Sequence, residues 1–362
     1  MVVRAFALNA KTLVVTHEIP FVSCSVTSVL NGPGSWTMEL PVSFTSPLGV
    51  ELFTSENFET NRSLIAIVDG ENTIMVGLFE AEDGSIDEES ETLTIAGTDA
   101  GLGYLQRRLW TAVATTYTDV DQFTIAANIV ANATTLGIGT GIVLSYVPAS
   151  TSGVLRDRTY DAQDRNYLFE LFDNLANVEN GFEYTMNPSG SLSTGFIPGI
   201  VVGYPSLLRK TNKVLALGKN IKRLSYSRDG ARYANKVNVG GAVKGDVQLL
   251  ASATKTEDLE TYPYYMKDES RATVIEQSTL QSWADRYLKL YGSTPTLYEV
   301  DLNANDEECT PGSFRCGDEI RMIANRGRVS FDTLFRISSW TLSVDSDGSR
   351  DLSMSLFKTG SI

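Results

Sequence analysis

The strongest constraint on this chain is a two-residue apolar period that folds back on a polar turn near its C-terminal end. Phe335 and Ile337, then Trp340, Leu342 and Val344, lead into Asp345, Ser346, Asp347 and Gly348; Leu352, Met354 and Leu356 follow at alternate positions. Alternation on both arms of such a turn predicts an antiparallel hairpin with one buried face. Residues 318–323 read as a further strand just ahead of it. The same signal opens the chain, where Trp36, Met38 and Leu40 alternate and residues 91–97 do so again. Residues 64–68 and 73–79 are apolar runs joined through Asp69 and Gly70, a dipeptide suited to a tight hairpin turn. The acidic stretch from Glu80 to Glu91 separates two of these strands and reads as a solvated connection.

Helices are confined to the middle of the chain and one later segment. Asp121 is placed to cap a helix carrying Phe123, Ala127 and Val130 and ending near Gly137. A second is predicted from about Asp164, with Leu168, Leu171, Phe172, Leu175 and Val178 on one face and Gly181 just past its end. Leu280, Trp283, Tyr287, Leu290 and Tyr291 share a face of a third, closed by Gly292 and Pro295. The first two faces are read as core. The order is β over residues 1–100, α+β over 101–205, and β with one helix over 206–362, giving an α+β, mainly β, architecture. At about 150 residues per domain, 362 residues agree with two or three domains.

Charge and residue counts then remove whole classes of function. The net charge of −14 argues against a general electrostatic grip on nucleic acid or an anionic membrane. No apolar run approaches the ~20 residues of a spanning helix; residues 197–204 are broken by Pro198, Gly199 and Gly203. The apolar stretch after Arg4 breaks up at Asn9 and Lys11, so no signal peptide is expected. There is one histidine, His17, and every His-dependent triad, general base or zinc site would have to use it. It sits where a strand enters a turn and is read as structural or solvated. Cys24 is remote in sequence from Cys309 and Cys316, so no disulfide framework is indicated and reduced thiols are the expectation. Zinc at Cys309 and Cys316 would need two more ligands, and only Cys24 and His17 exist. Whether those two cysteines pair with each other, the spacing leaves open.

Several short motifs lose to plainer readings. Gly137, Gly139 and Gly141 lack the Lys-Ser/Thr of a phosphate loop and follow a helix instead of a strand. Asp345, Asp347 and Gly348 have part of a calcium loop, but Met354 stands where the closing Glu belongs. Asp99, Glu170, Glu183 and Asp301 form no recognisable acid–base signature, although separation in space, which decides a glycosidase pair, is invisible in sequence. No catalytic residue, metal or cofactor is therefore assigned. Two aromatic–basic groups remain. Tyr226, Arg228, Arg232 and Tyr233 are residue types enriched at subunit interfaces. Tyr262, Tyr264 and Tyr265 suit either a binding platform or an ordered interface loop.

The succession of segments resembles the tail-hub or baseplate-hub (minor tail) proteins of long-tailed bacteriophages. Gly34-Ser35-Trp36-Thr37-Met38-Glu39-Leu40-Pro41 is similar to their opening strands, and residues 75–79 and 93–99 follow in the same order. Arg165-Asn166-Tyr167-Leu168-Phe169-Glu170-Leu171-Phe172 through Tyr184 is similar to their central helix and strand. Residues 225–227 and 235–241 resemble the strand pair where a second barrel begins, and 317–321, 335–337 and the terminal hairpin resemble the closing barrel. The resemblance implies two tail-tube-like β-barrel domains with a smaller helix-containing insertion. It implies a virion protein of the tail tip, put together in the host cytoplasm as a homotrimer without cofactors or a membrane anchor of its own. The trimer would adapt a hexameric tube or distal tail protein on one side to tip or fibre proteins on the other. Genome DNA would pass through its channel without specific binding, and three chains of −14 carry −42, a sign that repels phosphate. The other functions weighed are a carbohydrate- or receptor-binding tail module and a carboxylate-dependent depolymerase.

Overall fold

The computed structural model describes residues 2–41, 58–86, 91–135 except 107, 110 and 111, 143–146, 151–244 except 179, 205, 208 and 229, and 247–358 except 273, 275, 276 and 293–295. The N-terminal part carries β1 (Val3–Asn9), β2 (Val15–Ile19), β3 (Ser23–Val29), β4 (Ser35–Leu40), β5 (Ser63–Asp69), β6 (Asn72–Leu78), β7 (Ala81–Ile86) and β8 (Glu91–Thr98). Then come α1 (Ala100–Gly103), β9 (Thr115–Asp121), α2 (Gln122–Thr135), β10 (Val143–Tyr146), β11 (Leu155–Tyr160), α3 (Leu168–Ala176), β12 (Glu183–Met186), β13 (Ser189–Ser191), β14 (Gly195–Ile197) and β15 (Gly199–Gly203). The rest is β16 (Lys210–Ala216), β17 (Ile221–Arg228), β18 (Lys236–Lys244), β19 (Val247–Thr254), β20 (Met266–Ser270), α4 (Gln277–Tyr291), β21 (Thr296–Asn303), β22 (Glu319–Arg326), β23 (Val329–Val344) and β24 (Arg350–Lys358). The protein is mainly β with a minority of helix, as its alternating pattern predicts.

Two compact units emerge. One comprises Met1–Leu224 with Val300–Leu356, the other Ser225–Glu299 with Phe357–Ile362. Two sheets dominate the first unit. The smaller runs β2-β1-β5-β6, and β5 at its centre is buried along its whole length, which explains why its sequence is continuously apolar instead of alternating. The Asp69–Gly70 turn joins β5 to β6 as predicted, with Gly70 at φ 62°. The larger sheet runs β17-β21-β24-β23-β3-β4-β8-β7, with β22 and β16 branching from β23. β23 makes this possible by its length. Its first half pairs with β22 (Glu319↔Arg336 through Arg326↔Val329), and its second half pairs with β3 (Ser339↔Val29 through Val344↔Cys24). The N-terminal and C-terminal strands thus share one hydrogen-bonded sheet.

Trp36, wholly buried on β4, anchors the strands of this region and donates from Nε1 to the Leu78 carbonyl at 3.2 Å. Gly77 and Gly97 leave room for the indole and the neighbouring backbone: a Cβ on Gly97 would fall 1.7 Å from the Leu78 carbonyl oxygen. A second core lies between α2, α3 and strands β12 and β15, where Phe123, Phe172, Phe182 and Tyr184 meet edge to face. Asp121 caps α2 as expected, accepting from Phe123 N at 2.9 Å.

Four expectations need correction. Part of the acidic connection is strand β7, paired with β8 from Ala81↔Ala96 to Ile86↔Glu91; residues 81–85 are exposed on both faces, so no apolar period marks them. The second helix starts at Leu168, not near Asp164, because Arg165 has φ 46° and Tyr167 bridges Arg108 in extended conformation. Leu290 is exposed, and Ala284, too small to stand out in the pattern, takes the buried place on that helix. Residues 225–227 and 235–241 do not form a strand pair: β17 neighbours β21, whereas β18 lies in the sheet β19-β18-β20. The glycines at 137, 139 and 141 lie outside the described residues.

No helix among the described residues is long and apolar enough to cross a membrane. The three cysteines are free and buried, with burial pushing each thiol up to about 12, so none has the thiolate character of a nucleophile.

Candidate interaction surface

The aromatic residues singled out in sequence all belong to the smaller unit. Its sheet β19-β18-β20 carries α4 on one face, over a core of Val237, Val239, Leu280 and Ala284 with alanines around them. Asn235, fully buried just ahead of β18, organises the loop before β20. Its amide donates to the Pro263 carbonyl and accepts from Tyr265 N, both at 2.9 Å. The loop therefore holds Tyr262, Tyr264 and Tyr265 outward while each stays 47–61% exposed. Tyr233 supports them from beneath, its ring centroid 5.7 Å from that of Tyr262 and 5.6 Å from that of Tyr265. Its hydroxyl donates to Asp258 Oδ2 at 2.6 Å, and Lys255 pairs with the same carboxylate at 2.9 Å. Desolvation and that donation push the Tyr233 phenol up to about 12, so it stays a neutral donor.

Tyr264 lies 5.9 Å from the Lys236 ammonium, within cation–π range. The structure thus gathers Tyr233, Tyr262 and Tyr265 by direct ring contact, with Tyr264 beside them. Tyr226 and Arg228 sit elsewhere, on β17 alongside β21: Tyr226 is 6.2 Å from the Tyr298 ring and Arg228 Nε donates to Thr296 Oγ1 at 3.0 Å. Arg232 is exposed and feels Tyr291 electrostatically.

Trp283, Tyr287 and Tyr291, which the sequence places on one helical face, pack partly buried against the smaller unit's core. They form a ladder on α4, with successive centroids 5.7 and 5.9 Å apart, roofed by cations. The Arg271 guanidinium lies 3.9 Å from the Trp283 ring and the Lys267 ammonium 4.0 Å from that of Tyr291. The signal that finds this is aromatic spacing at i, i+4, i+8 together with basic residues in the segment 267–271.

Carboxylates singled out earlier are each taken by a structural partner. Asp99 accepts from Gly34 N and Leu102 N, Glu170 from Tyr167 N, Glu183 binds Arg336 and Asp301 binds Arg223. His17 is half-buried on β2 near Phe58; burial lowers its pKa. A cavity of about 620 Å³ in the larger unit is lined by Asn9, Lys11, Arg62, Glu80, Tyr104 and Gln106, and Glu80 is already occupied by Thr98 N and Oγ1. No group of three or more His, Cys, Asp or Glu among the described residues is placed to hold a metal.

No protein-family model and no curated protein sequence matches the chain. Solved structures do. A 43 kDa tail protein of a Shewanella oneidensis prophage superposes with a TM-score of 0.68 at 12% identity, over 99% of both chains. A tail protein of Neisseria meningitidis gives 0.63 at 12% identity, over 99% of this chain and 98% of that one. An E. coli component of the type VI secretion system, itself described as structurally similar to bacteriophage T4 tail proteins, gives 0.53 at 11% identity, over 94% of this chain and 74% of that one. The fold is that of phage tail and baseplate-related proteins.

Proposed function

We propose that this protein is a structural component of a phage tail, a trimeric hub that adapts the sixfold tube to a threefold tip and surrounds the DNA exit channel. The observation that carries this is the end-to-end match to tail-protein folds. The role is assembly, not turnover: the prominent carboxylates are held by structural hydrogen bonds and ion pairs, and the thiols are buried. A closed ring stacks on a sixfold ring with repeated contacts only if it offers six similar surfaces, which three copies supply when each presents two. Its partners are then two further copies, a tube or distal tail protein on one face and tip or fibre proteins on the other, all within the virion. The −42 of three chains favours free passage of DNA. Sedimentation equilibrium of the purified chain tests the stoichiometry: a species of three chain masses is expected, and a strictly monomeric chain at tens of micromolar would overturn the hub.

The tyrosine platform favours a second reading, a carbohydrate- or receptor-binding tail module. Retention on immobilised host-surface polymer, lost on Tyr262→Ala with Tyr264→Ala, would establish it. Retention unchanged by those substitutions would remove it.

A further inference from the structure

Resting on the reading of the chain as a ring-forming protein, we infer where one copy meets the next. Two of the three terminal strands of the larger sheet, β7 and β16, carry opposite charge. At one end β7 pairs, among the described residues, with β8 alone and leaves its outer edge unpaired; residues 81–85 are exposed on both faces, and neither Glu82 nor Asp83 has an ion-pair partner among those residues. At another end stands β16, paired among the described residues with β22 alone. The far half of β16 is closed by its own chain, with Val214 N donating to Glu308 Oε2 and Ala216 N to Asn220 Oδ1. The near half lines a groove of about 310 Å³ whose walls are Arg209, Lys210, Thr211, Lys213, Glu308 and Ser313.

In a chain of net charge −14, Lys210 and Lys213 stand against the single carboxylate of Glu308 on this wall, Arg209 being held by Asp318, and the two lysines form a site for an acidic segment. Among the described residues neither Lys210 nor Lys213 has an ion-pair partner, and the Lys213 ammonium donates to the Glu307 carbonyl at 2.8 Å. The occupant that this geometry fits is a second copy, its β7 edge carrying Glu82 and Asp83 laid along Lys210 and Lys213. Donor and acceptor surfaces differ, so the contact is head-to-tail, the kind that closes into a ring when the rotation between copies permits. An exposed, unpaired edge strand otherwise invites uncontrolled association, and charge on both sides restricts it to one pairing.

Charge reversal tests this. In the full-length protein, Lys210→Glu with Lys213→Glu, and separately Glu82→Lys with Asp83→Lys, are each expected to weaken self-association at least about tenfold at 0.15 M salt. All four substitutions in one chain are expected to restore it, and 1 M salt to weaken the unsubstituted assembly. Thermal unfolding of each variant confirms that the exposed substitutions leave the fold intact. Association unchanged by either pair, or not restored by the combination, overturns this contact while leaving a ring with another interface standing. A chain that never self-associates removes the contact and the hub reading together.

Discussion

At the residue scale, burial does most of the tuning. Asp99 is wholly enclosed and accepts backbone hydrogen bonds from Gly34 and Leu102, and desolvation pushes its carboxyl up to about 7. An unfolded Asp titrates near ~4, so between about pH 4 and 7 the folded state keeps a proton that the unfolded state has released. Stability contributed at this site is therefore full at the acidic end of that window and lost as the pH rises through it. Chemical denaturation from pH 5 to 8 is expected to show the native chain losing on the order of 3 kcal/mol relative to Asp99→Asn, which carries no such titration. Parallel pH profiles for the two proteins would contradict the assignment. Gly97 presents the opposite constraint, one of space. Gly97→Ala drives a methyl into the Leu78 carbonyl beside Trp36 and is expected to cost about 1–3 kcal/mol, read from the shift in denaturant midpoint. An unchanged midpoint would mean that the strands there are free to separate.

Among the elements, β23 is the one on which the larger sheet depends, since it pairs with β22 and β3 in sequence and has β24 as a further neighbour. Arg336, where the pairing changes hands, is buried and ties β23 to β12 through Glu183; the same guanidinium donates to the Gly317 carbonyl at 3.2 Å. Removing the cation leaves Glu183 charged and four-fifths buried, with Leu207 N as its remaining donor, so Arg336→Met is expected to destabilise by about 2–4 kcal/mol, with Arg336→Lys recovering part of that. Calorimetry showing under about 1 kcal/mol would place the pair in effective contact with solvent.

What could be read in advance follows the same physics. Strands with one buried face, such as β4 and β24, and hairpins with their turn residues in place, such as β5–β6, announce themselves locally. Asp121 did so too, because a cap acts over two or three residues. β7 did not, since a strand exposed on both faces has no hydrophobic period. The start of α3 was hidden by a positive φ at Arg165 that nothing in its neighbours specifies. Neighbouring of β23 with β3 and of β17 with β21 is decided by contacts between residues far apart in the chain. In the aromatic surface, the Tyr262–Tyr265 segment stands out by composition, whereas the α4 ladder shows in sequence only as one helical face, the cations over it coming from the separate segment 267–271.

For the whole molecule, the central claim is that copies of this chain close around a shared axis. A ring joined head-to-tail through charged sheet ends must have a definite number of members, and the tail-hub reading sets that number at three. Cryo-electron microscopy of the purified assembly viewed end-on measures it directly. The account predicts an annulus with threefold symmetry, an open centre, and six similar lobes around the rim. A filled particle, or a ring of another symmetry, would contradict it.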